Sequence, residues 1–385
     1  MIVGRINKII RAGCFLLLPV LLPAITGCGS KSQPQEFITL GALLPLCGED
    51  ADEGLRAYNG LMLAKEEINR AGGILGKMLD IIVLNDFGNE EYVVQQYNVL
   101  MEKNVAAIIG SSYSDVTMAL AEAAEKDGIP VISPSASSPG ITQGRKNIFR
   151  AIFIDDYQAE VMAYFAHDSL NAQTAVVLEN AHADNFMQTA RAFCDAFRNY
   201  GGSIIAVESY SNESEFARIL GKYAGSSFPD VFYCSESFTP AVALVNTAYD
   251  LGFTDTPILG SDSWDGILTY LIHPEAMKNV YYTSPFLFDD QDDDVKRFVR
   301  DYFRGFSQMP LSGSATAYTC VYILAEAIRK AGNTSPDSII SAIKGNELDM
   351  ITGRILFDEN NNPRTNVYII RIEGGVYSTY KKISL

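Results

Sequence analysis

Apolar and amphipathic runs alternate along the first part of the chain. Four runs are mostly apolar and of strand length: 37–44, 79–85, 105–110 and 129–132. Three intervening runs space their apolar residues three or four apart, as helices do: 58–69, 92–103 and 116–126. Near-continuous apolar strands are typical of a parallel sheet that is covered on both faces. The alternation therefore predicts βαβ units with helices on both sides of a sheet.

The same alternation restarts near residue 150. Further strands are predicted at 175–178, 203–207, 231–234 and 257–259. Further helices are predicted at 185–200, 213–224 and 241–251. A crossing strand at 281–285, long helices at 292–305 and 315–331, and a β-rich tail over 354–380 complete the pattern. The predicted fold class is α/β, with two doubly wound parallel-sheet units.

Hydroxyl-rich loops directly follow two of the predicted strands. Residues 111–114 are Ser-Ser-Tyr-Ser, and residues 133–139 are Ser-Pro-Ser-Ala-Ser-Ser-Pro. The carboxyl ends of parallel strands meet at one edge of a sheet, so the two loops should lie side by side. Hydroxyl groups and the N–H groups of a helix N-terminus are good partners for an anion. The sequence therefore predicts a site for a small carboxylate at this edge.

Length and composition indicate the broad class of protein. The chain has 385 residues, of which 48% are hydrophobic and 20% charged, values that suit a globular protein of two domains. Its formal net charge of -16 argues against a nucleic-acid partner, because such binding needs Lys and Arg on the phosphates. No nucleophile elbow, HExxH, P-loop or Rossmann glycine motif is present, and the three His residues are scattered. We therefore expect a binding protein with no cofactor, and not an enzyme.

Metal and disulfide sites are not indicated. The acidic run at 289–294 lacks the central Gly and the distant Glu of a calcium loop, and it fits better as negative charge entering a helix N-terminus. No cysteine pair has the spacing of a metal site. Two states remain possible for the cysteines after residue 28. In an exported protein two of them could form one disulfide, or they could be buried free thiols. These cysteines are Cys47, Cys194, Cys234 and Cys320.

The N-terminus carries an export signal. Residues 1–11 contain three cations and no acid, and residues 12–24 are apolar but too short to span a bilayer comfortably. Residues 25–28, Ile-Thr-Gly-Cys, resemble a bacterial lipoprotein cleavage box, which implies a lipid on Cys28. A plain signal peptide and a signal anchor are the alternatives. We expect lipid chains to hold the protein at the membrane surface from outside the cytoplasm.

Segments spread over nearly the whole chain resemble a known family. They keep its order and spacing and are found at 59–76, 109–114, 129–134, 149–150, 260–262, 317–318 and 353–358. The family is that of type I periplasmic binding proteins, in the branched-chain amino-acid (leucine-binding) class. The resemblance implies two lobes joined by three crossovers, near 150–154, 283–286 and 352–355. The implied division is a lipoprotein signal peptide at 1–27, a tether at 28–36, lobe 1 at 37–152 and 286–353, and lobe 2 at 153–285 and 354–385.

The resemblance also implies a ligand site in the cleft between the lobes. In this family first-lobe loops hold the ligand's α-carboxylate, which here would meet Ser114, the backbone at Ser135, and Ser137. An acid from the second lobe holds the α-ammonium, and Asp262 occupies that position. Ser114 could instead be a simple helix N-cap, 133–139 an ordinary surface loop, and Asp262 a turn residue.

Aromatic residues and departures from the family concern the rest of the ligand. Tyr113 and Trp264 could cover the ammonium or the apolar part, and Trp264 could equally pack in the core. Glu53 and Asp184 occupy two positions where relatives often place a Tyr, and Ser237 occupies a third that is often aromatic or small. Extra carboxylates would be poorly solvated around leucine, so we hypothesise a basic or polar ligand side chain. Alternatively, the two acids face solvent at the cleft rim.

The function implied by the resemblance is that of a lipid-anchored solute-binding protein of an ABC importer. Its ligand would be an amino acid or similar zwitterion, bound by hinge closure, and its partners would be permease subunits and the membrane. We expect a monomer. Two alternatives remain: a sensing module of a signalling system with the same fold, and a binder of a different small polar ligand.

Overall fold

The computed structural model describes residues 36–48, 51–225, 228–274 and 278–383. The expected signal peptide, Cys28 and all of the tether except Glu36 lie outside these residues. Across the described ranges, no helix combines the length and apolarity needed to span a membrane.

The first sheet has five parallel strands in the order β2-β1-β3-β4-β5. They are β1 (Phe37–Leu44), β2 (Met78–Asn85), β3 (Ile108–Ile109), β4 (Val131–Ser133) and β5 (Ile148–Arg150). Three helices connect the first four strands: α1 (Ala51–Arg70), α2 (Glu90–Glu102) and α3 (Ser114–Asp127). The chain leaves this sheet after Arg150.

The second sheet begins with five strands that are parallel to one another. They are β6 (Thr174–Asn180), β7 (Ser203–Tyr210), β8 (Val231–Cys234), β9 (Ile258–Gly260) and β10 (Val280–Ser284). The helices of this part are α4 (Asp155–Tyr164), which continues as a π-helical turn, α5 (Asp184–Asn199), α6 (Phe216–Gly221) and α7 (Phe238–Asp250).

The chain then returns to the first sheet. Three helices follow β10: α8 (Asp293–Phe306), α9 (Ser312–Ala331) and α10 (Pro336–Lys344). A small antiparallel sheet comes next, with β11 (Glu347–Met350), β12 (Gly353–Phe357) and β13 (Pro363–Arg364). Ile355 and Phe357 of β12 are buried in the core that α1 and α9 form with the first sheet.

Two antiparallel strands complete the second sheet. They are β14 (Val367–Glu373) and β15 (Val376–Ile383), and the full order is β15-β14-β10-β9-β8-β6-β7. Separate buried clusters lie on the two faces of each sheet, so each sheet is covered by helices on both sides. The predicted α/β class with two doubly wound units is confirmed.

Candidate functional site

A cavity of about 540 Å³ lies between the two sheets, at the carboxyl ends of their parallel strands. On one side it is lined by the first turns of α1, α3 and α9 and by the loop after β4. On the other side it is lined by the loops after β8 and β9 and by the first turns of α4, α5 and α7. Helix N-termini therefore surround the cavity.

Seven of the nine predicted ligand residues line this cavity. They are Glu53, Tyr113, Ser114, Ser135, Ser137, Ser237 and Asp262. They come from five separate segments of the chain, so the fold brings together residues that are far apart in sequence.

Trp264 is not part of the described lining. Its side chain is fully buried in the core beside β9, and its ring packs directly against the Cα of Gly260. A side chain at position 260 would collide with that ring, which explains the Gly there. Of the two interpretations of Trp264, the structure supports core packing.

Asp184 also lies outside the described lining. It is the exposed first residue of α5, and the next two residues, Asn185 and Phe186, line the cavity instead. A helix turns by about 100° per residue, so neighbouring positions face different directions. For Asp184 the alternative of a solvent-facing acid is therefore supported.

The two serine-rich loops are held together by hydrogen bonds. The Ser133 hydroxyl donates to the carbonyl of Ser111 at 2.8 Å, and the Ser135 hydroxyl donates to that of Ser112 at 3.2 Å. The backbone N–H of Ser138 donates to Ser114 Oγ at 3.3 Å. The loops therefore lie side by side, as their predicted position at the strand ends requires.

The N-terminus of α3 opens at this point without a side-chain cap. Tyr113 is the N-cap residue and makes no capping hydrogen bond with its side chain. Ser114 is the first helical residue, so it does not cap the helix itself. An uncapped helix N-terminus exposes N–H groups and the positive end of the helix dipole to the cavity.

A buried cation supports the second serine loop from behind. Arg150 donates to the carbonyl oxygens of Ala136 at 2.9 Å and Ser138 at 2.7 Å, and to Thr142 Oγ1 at 3.3 Å. Burial lowers the pKa of Arg150 to about 10, so the side chain is charged at neutral pH. Its positive charge adds to that of the helix N-terminus on this side of the cavity.

Two carboxyl groups lie on the opposite side of the cavity, joined by one amide. Gln158 Nε2 donates to Asp155 Oδ1 at 2.8 Å and to Asp262 Oδ1 at 2.7 Å. Desolvation raises the pKa of Asp262 to about 7, and the negative charges of Asp155 and Glu53 add to the shift. Burial also raises the pKa of Asp155, and a hydrogen bond from the Ser137 hydroxyl partly offsets this increase. This end of the cavity therefore favours a cation.

Asp155 is a candidate ligand residue that the sequence interpretation missed. It begins α4, which the hydrophobic pattern does not predict, because residues 155–164 show little separation of apolar and polar faces. The available signal was the acidic pair Asp155-Asp156 directly after the expected first crossover. Acids are common in the first turn of any helix, so this signal is weak.

The remaining part of the cavity carries more charge. Asp52, Glu53, Arg56 and Asp265 line it, and Arg56 is the only Lys or Arg among the described lining residues. Asp265 Oδ2 accepts from the backbone N–H of Ser312 at 2.6 Å. The Glu53 carboxylate packs against Gly313, in the first turn of α9. Several of these acids therefore already have favourable partners.

The structure describes the state of four cysteines and the position of the acidic run at 289–294. Cys47, Cys194, Cys234 and Cys320 are free thiols, and the last three are buried. Asp292 caps α8 and accepts from the N–H groups of Asp294 and Val295, so this acidic run belongs to a helix N-terminus. Within the described ranges no group of three or more His, Cys, Asp or Glu residues is arranged to hold a metal ion.

Comparisons with known proteins agree with this architecture. The sequence model of the periplasmic binding protein family matches residues 38–376. The leucine-, isoleucine-, valine-, threonine- and alanine-binding protein of Pseudomonas aeruginosa is 26% identical over 343 residues, which cover 88% of this chain and 90% of that protein.

Two solved structures are also similar. The branched-chain amino acid transporter substrate-binding protein LivJ of Streptococcus pneumoniae, in complex with isoleucine, superimposes with a TM-score of 0.81 at 26% identity, covering 91% of this chain and 99% of that one. The leucine-binding protein LivK of Thermotoga maritima superimposes with a TM-score of 0.80 at 25% identity. The match covers 90% of this chain and 99% of that one.

These relatives are binding proteins rather than enzymes, and family membership implies a location outside the cytoplasm. The cleft between two doubly wound sheets, the family match and the relatives lead to one assignment. The chain belongs to the periplasmic binding protein family, in the type I branched-chain amino-acid class of ABC-transporter substrate-binding proteins.

Proposed function

We propose that this protein captures an α-amino acid in the cavity and delivers it to an ABC permease, while a lipid on Cys28 holds it at the outer face of the membrane. One observation carries the proposal. A single cavity has anion-binding groups on one side, around Ser114 and Ser135, and two carboxyl groups on the other, Asp155 and Asp262. An α-amino acid carries the matching pair of charges.

The carboxylate half of the site is the serine-rich side. The α3 N-terminus, the Ser114 hydroxyl and the backbone N–H of Ser135 would donate to the ligand carboxylate, with Arg150 behind them. Hydrogen bonds to a charged acceptor are roughly twice as strong as neutral ones. Ser137 lines the same wall, but its hydroxyl already donates to Asp155. We therefore assign Ser137 to the junction between the two halves.

The ammonium half of the site is the acid pair. Arg150 interacts electrostatically with Asp155, but no cation is among the described groups that shift the pKa of Asp262, and an ammonium group between the two acids would supply one. Asp155 begins α4, close to the expected first crossover, and Asp262 follows β9. The ligand's ammonium would therefore bind mainly to the second lobe, while its carboxylate binds to the first.

The ligand side chain would extend toward α1 and α9. Asp52, Glu53 and Asp265 outnumber the single cation Arg56 there. This excess of acids supports an amino acid with a basic or strongly polar side chain. A purely aliphatic side chain would desolvate these groups without replacing the lost water contacts.

Hinge closure would follow capture. The first lobe would comprise the five-stranded sheet with α8, α9 and α10, and the second lobe the seven-stranded sheet. The lobes are joined by crossing segments, and such an arrangement closes by rotation about a few residues. In the closed form Asp262 would reach the ammonium of a ligand that is already bound to the serine-rich side.

A binding panel tests the amino-acid assignment. Isothermal titration of the purified soluble part with the 20 common L-amino acids should find at least one tight ligand. We expect that ligand's α-hydroxy acid counterpart to bind at least ~10-fold more weakly, because it lacks the ammonium. Binding of none of the 20 would overturn the assignment.

A matched pair of variants tests the role of the second-lobe acid. Asp262→Ala should weaken binding of the tight ligand by more than ~10-fold, because it removes a partner of a desolvated cation. Asp184→Ala is the control, because Asp184 is an exposed acid outside the described lining. Equal affinities for the Asp262→Ala variant and the wild type would remove the α-amino-acid assignment.

The same panel decides the side-chain class. We expect L-lysine, L-arginine or a polar amino acid to bind more tightly than L-leucine. Tight L-leucine binding with no binding of L-arginine or L-lysine would reject the hypothesis that the ligand has a basic side chain.

The anchor is tested separately. Full-length protein expressed in a bacterial host should fractionate with the membrane, and Cys28→Ser should release it or leave its signal uncleaved. Membrane extraction behaviour that is the same for both forms would contradict the lipid assignment.

A further inference from the structure

We infer that Gln158 is a positioning residue that holds Asp155 and Asp262 together as one receptor for the ligand's ammonium group. The inference rests on the proposed function, because it assumes an ammonium at this end of the cavity. Gln158 is almost fully buried and is not among the described lining residues of the cavity. It would therefore act through the two acids rather than by touching the ligand.

The orientation of the Gln158 amide is fixed by a backbone N–H group, which can only donate. The backbone N–H of Asp262 donates to Gln158 Oε1 at 3.1 Å, and the Thr283 hydroxyl donates to the same oxygen at 2.6 Å. A backbone N–H has no acceptor capacity, so the amide oxygen must face it. The Nε2 group must therefore face the two carboxyl groups.

Both hydrogens of Nε2 are used by the acids. One donates to Asp155 Oδ1 at 2.8 Å and the other to Asp262 Oδ1 at 2.7 Å. The two acids are 107 positions apart in sequence, and this shared amide fixes the spacing between them. Two neighbouring carboxyl groups with raised pKa would otherwise repel or take up protons.

The position of Gln158 also connects the receptor to the expected hinge. Gln158 lies in the first turn of α4, just after the expected first crossover, and Thr283 lies in β10, at the start of the expected second crossover. Asp262 is held through both its backbone N–H and its carboxyl group. The ammonium receptor is therefore built next to two of the segments about which the lobes would rotate.

Removal of the amide should be selective for ligands that carry an ammonium. Gln158→Met keeps an unbranched side chain of similar length but has no amide. For this variant we expect the tightest L-amino acid of the panel to lose at least ~10-fold in affinity. Its α-hydroxy acid counterpart should lose less than ~3-fold, because its contacts with the serine-rich side are unchanged.

The pH profile gives a second readout. Without the amide donor, the carboxylate forms of Asp155 and Asp262 are less stabilised. The rise of amino-acid affinity with pH should therefore move to higher pH in Gln158→Met. Thr283→Val removes only one of the bonds that orient the amide, and it should show the same selectivity with a smaller loss, about 3-fold.

The measurement is isothermal titration of wild type, Gln158→Met and Thr283→Val with the L-amino acid and its α-hydroxy acid at several pH values. A thermal melt establishes folding, and if Gln158→Met does not fold, the selectivity of Thr283→Val decides. Equal losses for the two ligands indicate a purely structural role and overturn the inference, as do unchanged affinities. If the wild type itself does not distinguish the two ligands, the proposed ammonium site fails as well, so the two failures can be told apart.

Discussion

Asp265, in the loop after β9, accepts a hydrogen bond at Oδ2 from the backbone N–H of Ser312, at 2.6 Å. Ser312 begins α9, which packs in the core of the first sheet, whereas β9 belongs to the second sheet. The other oxygen of Asp265 accepts from the Tyr282 hydroxyl at 3.1 Å, within the second sheet's own part. Asp265 therefore joins the two halves across the rim of the cavity.

This contact predicts slower ligand release in the wild type than in Asp265→Ala. The variant loses an interlobe bond to a charged acceptor, so the closed form should open more readily. We expect the dissociation rate of the bound amino acid to rise about 5- to 20-fold, with little change in the association rate. Stopped-flow displacement measures both rates. Tyr282→Phe is the control, since it removes only the bond inside the second lobe, and an equal effect of both variants would contradict the interlobe role.

A pH dependence follows from Asp262. Its pKa is raised from 3.8 to about 7 in the folded protein, so between these values the folded state holds a proton that the unfolded chain has lost. The stability of the ligand-free protein should therefore fall as pH rises through this interval, and Asp262→Asn should weaken that fall. Melting temperatures of both forms at pH 5 and pH 8 measure the difference. The same pH slope in wild type and variant would contradict the raised pKa.

Ligand binding should show the opposite trend. A bound ammonium needs the carboxylate form, so amino-acid binding should release protons below pH 7 and strengthen up to about that pH. Titration calorimetry in two buffers of different ionisation enthalpy measures the protons released. Asp184→Asn should leave the release unchanged, because that acid is exposed to solvent. Affinity that is constant from pH 5 to pH 8 would contradict this prediction.

Trp264 should matter for stability rather than for binding. It is a large, fully buried side chain in the core beside β9, so Trp264→Ala should cost roughly 3–5 kcal/mol of unfolding free energy. The affinity of the folded variant should stay within about threefold of wild type. Urea unfolding and titration below the unfolding transition measure the two effects. A large loss of affinity at small cost in stability would restore Trp264 as a ligand residue.

Arg150 should increase the affinity for every ligand that carries the α-carboxylate, whether or not it has an ammonium group. Arg150→Met removes three hydrogen bonds behind the second serine loop and a nearby positive charge. The L-amino acid and its α-hydroxy acid should therefore lose affinity by similar factors, about 10-fold. Arg145→Met is the matched control, because Arg145 bonds instead to the carbonyls of Gly140 and Ile141. A loss confined to the amino acid would contradict this division of the site.

The hydrophobic pattern was sufficient for most of the fold. The run 37–44 gave β1 with the observed bounds, because a strand covered on both faces is apolar throughout. Neither α4 nor α10 was predicted: α4 has the polar residues Asp155 and Gln158 on its buried side, and α10 is only nine residues long. Elements without a clear apolar face depend on tertiary packing, which the sequence does not display.

The candidate site was predictable where strands run into loops. Ser114, Ser135 and Asp262 follow parallel strands, so their meeting at one cleft follows from topology. The direction of the Asp184 side chain could not be predicted. At the start of α5, one residue faces solvent and the next one lines the cavity, and the sequence does not show which. Asp155 could not be found, because its role depends on the bridge through Gln158, and no sequence motif marks that bridge.

A crystal structure of the protein with its tightest L-amino acid tests the amino-acid site most directly. We expect the ligand carboxylate within about 3.2 Å of donors at Ser114 and Ser135, and its ammonium within the same distance of the Asp155 and Asp262 carboxylates. An ammonium group that lies away from both acids, or a carboxylate that lies away from the α3 N-terminus, would contradict the proposed site.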